Sequence, residues 1–124
     1  MIGHVFVYGT LMLGQQRWPS IASWAEGVPR PDYATGELFD TEFGYPAAVF
    51  GDGGVIPGCT VKLRADGLSE AMAALDDIEG VDEGLYRRIE ITTANGISAW
   101  TYHWPRSTEH LKRIDRWPPR ARRL

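Results

Sequence analysis

The stretch LSEAMAALDDIEG, residues 68–80, decides the fold class, because it is the best helix in the chain. Ala71, Met72, Ala74, Leu75 and Ile78 recur at the three- and four-residue steps that gather side chains on one helix face. Ser69 suits the N-cap, and Glu70 suits the first turn, where a negative charge meets the positive end of the dipole. Gly80 suits the position just past the helix end. On either side the pattern changes to that of strands. His4 to Tyr8 reads as a buried strand. Thr35 to Asp40 and Pro46 to Phe50 read as strands around the turn Glu42-Phe43-Gly44-Tyr45, and Cys59 to Leu63 alternates after Pro57-Gly58. Downstream, Arg87 to Thr93 and Ile97 to Trp104 flank Asn95-Gly96, the strongest short hairpin signal. Gln15 to Glu26 is ambiguous, with a short helix expected after Pro19. There is no repeat and no low-complexity segment. Many strands and one good helix predict an α+β or barrel-like domain.

A chain of 124 residues suggests one domain, 1–124. At that length roughly two-thirds of the surface can be buried, enough for a core without staples. Cys59 is the sole cysteine, so no disulfide forms within the chain and a reducing compartment is expected. Met1-Ile2-Gly3-His4 is unlike a signal peptide, and no run approaches the ~20 apolar residues of a membrane span. These features predict a soluble, cytoplasmic protein with no membrane partner. Charge is uneven. From Lys112 to Leu124 there are six basic residues and one acid, a net of +5 against −8 for the rest. Such a tail, from about residue 108, has two readings: a nucleic-acid or membrane-surface contact, or a segment docked on its own acidic body or solvated. The second is preferred, because Pro118-Pro119 would interrupt a long basic helix.

Glu79 ends the helix's apolar stripe, whereas Glu70 and Asp77 lie away from it. Burial raises a carboxyl pKa, and the negative end of the helix dipole adds to that. A glutamate starting from ~4.3 would move toward ~6–7, where it both takes and gives a proton near neutral pH. The competing structural readings are an ion pair with Arg87 or Arg88, or a frayed helix end.

Other chemistries thin out. Gly9 and Gly14 have phosphate-loop spacing, but Gln15-Gln16 stand where Lys and Ser/Thr are required. There is no G-x-S-x-G nucleophile elbow. Cys59 has no histidine near it in sequence and reads as a small core residue. His4, His103 and His110 lack paired metal-ligand spacing. His103, beside Trp104, reads as a half-buried strand residue.

What remains is a glycine hinge, Tyr8-Gly9-Thr10-Leu11, and one awkwardly placed glutamate. Together they resemble the gamma-glutamylcyclotransferase-like family. The tetrapeptide looks like that family's substrate loop. Glu79-Gly80-x-x-x-Gly84-x-Tyr86 looks like its second motif, which contains the catalytic glutamate. Gly36-Glu37-Leu38-Phe39-Asp40, Tyr45-Pro46-Ala47 and Ile56-Pro57-Gly58 resemble small members. The likeness runs from the first strand to Trp104 and leaves the C-terminal tail outside it.

The resemblance implies a small mixed β-barrel with one main helix packed against it. It implies release of 5-oxoproline from a gamma-glutamyl amine or related compound, by attack of the substrate's own α-amine on its γ-carbonyl. No cofactor or metal is implied. Glu79 would be general base and then general acid. Tyr8, Gly9, Thr10, Leu11 and Tyr86 would bind substrate, with backbone N–H groups of the loop facing the glutamyl head. Asp40 to Pro46, with Phe43, Tyr45 and Trp104, are candidates for the wall that meets the departing amine. The implied partner is a small gamma-glutamyl substrate, not nucleic acid. A non-catalytic metabolite-binding domain of the same fold is the alternative. Retention of the glutamate and the glycine loop favours the enzyme.

Overall fold

The computed structural model describes residues 1–119. In chain order the elements are β1 (His4–Val7), α1 (Trp18–Ala22), β2 (Arg30–Asp40), β3 (Pro46–Lys62), α2 (Leu68–Ile78), β4 (Arg87–Thr92), β5 (Ser98–His103) and β6 (Lys112–Ile114). All six strands join one mixed sheet in the order β4-β5-β1-β3-β2-β6, curled into a half-barrel. The β1–β5 pair is parallel and the other pairs are antiparallel. This is the predicted α+β architecture.

β1 sits at the centre because both its faces are apolar. Successive side chains point to opposite sides of a strand. Val5 and Val7 enter one buried cluster with Leu11, Met72, Leu75, Tyr86 and Tyr102. Phe6 and Tyr8 enter a second with Ala34, Leu38, Ala48, Ile56 and Ala99. β1 pairs with β3 on one side and β5 on the other, so it has no free edge, and its end is well placed to carry a rigid site.

The segments expected as separate strands at 35–40, 46–50 and 59–63 belong to one long hairpin. β2 pairs with β3 from Arg30↔Thr60 to Thr35↔Val55, then resumes at Gly36↔Phe50 and runs to Asp40↔Pro46. Residues 51–54 thus loop out of the ladder. Gly51-Asp52-Gly53-Gly54 is a bulge that the pairing spans. Gly36 makes the jump possible: a Cβ there would lie 2.4 Å from Val49 O and 2.9 Å from Phe50 Cα.

α2 begins at an N-cap on Gly67, after the 3-10 turn Ala65–Gly67, not at Ser69. Gly67 packs against Trp24: a Cβ there would lie 2.8 Å from the indole ring. The far end matches the expectation. Gly80 has φ +66, its N–H donates to Asp77 O (3.1 Å), and the Val81 N–H donates to Asp76 O (3.0 Å). Those two bonds form a Schellman closure, with Glu79 as the C-cap residue. The helix is not frayed at Glu79. Its inner face buries Ala71, Met72 and Leu75, and full burial of a side chain such as Leu75 is worth about 2 kcal/mol.

The β4–β5 hairpin turns through Ala94-Asn95-Gly96, with Thr93 N–H donating to Ile97 O (2.9 Å) and Gly96 at φ +80. Buried Asp32 anchors this turn: its carboxylate accepts from the N–H groups of Tyr33 (2.8 Å) and Asn95 (3.1 Å) and from the Thr60 hydroxyl. Burial works against that charge, but the hydrogen bonds together hold its pKa below the usual value. The sequence reading did not single out Asp32.

The start of the basic tail is docked on the body. β6 pairs with β2, and Arg113 donates to Gly53 O (2.6 Å) and lies 3.6 Å from Glu37 Oε1. Ile114 and Trp117 pack on the second cluster. Arg120, Arg122 and Arg123 lie outside the described residues. Among the described residues no helix is long and apolar enough to cross a membrane.

Candidate active site

β1 delivers the chain to a turn that folds back toward the end of α2. Gly9 O accepts from Met12 N–H (3.1 Å), and Thr10 O accepts from Arg17 N–H (2.7 Å). The N–H groups of Gly9, Thr10 and Leu11 find no protein acceptor among the described residues. Three successive free amides make a concavity suited to an anion. Gly9 is needed here for close packing within the protein. A Cβ on it would lie 2.7 Å from Pro46 Cγ and 2.8 Å from Pro46 Cδ.

This turn and Glu79 face one recess of about 70 Å³, also lined by Tyr8, Arg17, Tyr45, Pro46, Leu85, Tyr86 and Tyr102. A hollow of that size admits a small head group, so a larger ligand must extend out through the mouth. All six expected site residues, Tyr8, Gly9, Thr10, Leu11, Glu79 and Tyr86, line it. They come from two pieces of chain some seventy residues apart.

Burial pushes the Glu79 carboxyl up from 4.5 to about 7, and Arg17 opposes the rise. As a whole residue Glu79 is of intermediate exposure, as fits a side chain facing an open recess. Neither arginine considered as its ion-pair partner is spent on it in the structure. Arg88 lies 3.5 Å from Asp76 Oδ1, with its guanidinium 4.6 Å from the Trp100 ring centre, and Arg87 sits on β4 opposite His103.

The tyrosines are structural members of the wall. The Tyr8 hydroxyl donates to Tyr102 O (2.6 Å), and the Tyr86 hydroxyl donates to Pro46 O. The Tyr102 hydroxyl donates to Asp76 Oδ1 (2.8 Å). Burial pushes all three hydroxyls above their ordinary pKa. The Tyr8 and Tyr86 hydroxyls thus have their protons committed to main-chain carbonyls. Of the candidates for the wall around a departing group, Tyr45 and Pro46 line the recess. Trp104 stands behind Tyr86, ring centres 5.5 Å apart, and Phe43 is 82% exposed on the turn. His103 is half-buried on β5, and its Nδ1 accepts from Phe50 N–H (3.2 Å).

Arg17, Asp76 and Tyr102 were not marked by the sequence. Tyr102 is 94 residues from Tyr8, and Arg17 is 61 from its partner Ile78. Strand alternation at 98–103 is the only local signal that could have placed the Tyr102 ring inward.

The half-barrel's central strand thus ends in a turn with free amides, opposite a desolvated glutamate. The chain belongs to the AIG2-like gamma-glutamyl cyclotransferase family, whose model matches residues 5–118. That match reaches beyond Trp104 and takes in β6, so the tail's first part is family sequence. Among solved structures, an AIG2-like protein from Mus musculus is 19% identical, with a TM-score of 0.70 over 98% of this chain and 99% of that one. The protein YtfP from Escherichia coli is 29% identical, with a TM-score of 0.65 over 93% of this chain and 96% of that one. A structure described as gamma-glutamyl cyclotransferase is 18% identical, with a TM-score of 0.57 over 89% of this chain and 68% of that one. No curated protein matches the sequence.

Proposed function

We propose that this protein releases 5-oxoproline from a gamma-glutamyl amine, or a related gamma-glutamyl compound, with Glu79 as the proton-transfer group. The observation that carries the reading is Glu79 itself: a carboxyl pushed to about 7, facing the recess that the Gly9–Leu11 turn also lines. The turn's free amides would take the substrate's α-carboxylate. Glu79, ionised, takes a proton from the α-ammonium. The freed nitrogen attacks the γ-carbonyl carbon, a five-membered ring closes, and the bond to the outgoing nitrogen breaks. That nitrogen takes the proton from Glu79 and leaves as an amine, while the ring nitrogen gives its second proton to the Glu79 carboxylate, which passes it on to the departed amine or to solvent. Both reacting groups belong to one molecule, so holding it folded supplies an effective concentration on the order of 10⁵–10⁸ M. The proton shuttle adds roughly 10²–10⁴ in rate.

The test is incubation with a panel of gamma-glutamyl amines, with 5-oxoproline read by mass spectrometry. Product is expected from at least one member, with kcat/KM rising along an acid limb centred near 7. No product from any member, or activity kept in Glu79→Gln, refutes the proposal.

A further inference from the structure

Arg17 joins the two halves of the recess. Its backbone N–H donates to Thr10 O (2.7 Å) and so closes the turn that carries Gly9 and Leu11. Its Nη1 donates to Ile78 O (3.3 Å), the carbonyl just before Glu79. A cation at the carbonyl end of a helix is favoured by the dipole, and here the same side chain also lines the recess.

The groups around Glu79 leave Arg17 a distinct electrical role. Tyr8 faces it from the end of β1, Tyr45 from the β2–β3 turn, Tyr86 from the approach to β4, and Tyr102 from β5. Tyr8, Tyr86 and Tyr102 are held neutral by burial. On α2, Asp76 is engaged by Tyr102 and Arg88, and Asp77 is exposed. Asp82 and Glu83, in the following turn, are also exposed. Among the described residues, Arg17 is the one basic side chain lining the recess.

We propose that Arg17 is a positioning residue: it ties the Gly9–Leu11 turn to the end of α2 and supplies the counter-charge to the Glu79 carboxylate. This rests on Glu79 being the proton-transfer group, but its first test needs no turnover. The Glu79 carboxyl carbon is followed by ¹³C NMR from pH 4 to 9 in the wild type, Arg17→Met, Arg17→Lys and, as a remote control, Arg113→Met. The midpoint is expected to rise in Arg17→Met by up to about one pH unit. It should stay near the wild type in Arg17→Lys and in Arg113→Met. The amide signals of Thr10 and Leu11 should shift in Arg17→Met. In turnover, the acid limb of kcat/KM should move with the NMR midpoint, and Arg17→Lys should restore most of the lost activity.

If Arg17→Met does not fold, Arg17→Gln, which keeps a donor toward Ile78 O, carries the same comparison. A folded, neutral variant with an unmoved Glu79 midpoint overturns the proposal, even if the protein turns over substrate. A moved midpoint in a protein that releases no 5-oxoproline from any substrate leaves Arg17's role standing and removes the proposed reaction.

Discussion

Glu79 shows how far one residue's chemistry follows from its address. Its place at the end of an apolar stripe is legible in the sequence, because helix period and the Gly80 stop fix it there. Its proton affinity also has a thermodynamic consequence. In the unfolded chain the carboxyl titrates near 4.5, and in the folded protein near 7. The folded state therefore disfavours the ionised form. Stability begins to fall as pH rises past about 4.5, and the full loss is reached above about 7. That loss is about 3 kcal/mol. Glu79→Gln should thus abolish turnover while raising the melting temperature by several degrees at pH 8, with little change at pH 4. Scanning calorimetry at both pH values checks this. A variant less stable at pH 8 would instead reveal a structural ion pair. The side chains that surround the recess were not legible in the same way. Arg17, Asp76 and Tyr102 act through contacts spanning 61, 26 and 94 residues, and no local period encodes such contacts.

Among the elements, α2 and the β4–β5 hairpin were readable because their signals are local: a helical stripe closed by Gly80, and Asn-Gly between apolar runs. The start of α2 lies two residues before the Ser69 cap that the sequence suggests, because the 3-10 turn Ala65–Gly67 leads directly into it. The long β2–β3 hairpin was readable only in pieces. Four residues, 51–54, leave the ladder and carry three glycines, and so imitate a chain break. The register depends on Gly36, opposite that excursion. Gly36→Ala would drive a methyl group into Val49 O and the Phe50 backbone. Such overpacking against backbone costs about 1–3 kcal/mol, and urea unfolding should show a lower midpoint by that amount. An unchanged midpoint would mean that the bulge moves freely.

For the whole molecule, the curled sheet explains why two remote motifs meet. β1 is the central strand, so the turn that follows it opens beside the end of the helix that covers the sheet. The half-barrel needs its last strand as well. β6 and the residues after it cover Leu38 through Ile114 and Trp117. Ending the chain at Leu111 should cost about 2 kcal/mol in lost apolar burial, seen as a melting temperature lower by several degrees. An unchanged melting temperature would make the basic segment an appendage. The uneven charge was legible in the sequence, but β6 was not, because three residues, two of them exposed and basic, carry no strand pattern. The most direct test of the convergence of turn and glutamate is a crystal structure of the protein soaked with 5-oxoproline. The ligand is expected in the recess, with its carboxylate on the amides of the Gly9–Leu11 turn and its ring beside the Glu79 carboxyl. A ligand bound elsewhere with this recess empty, or one in the recess turned away from Glu79, would contradict the account.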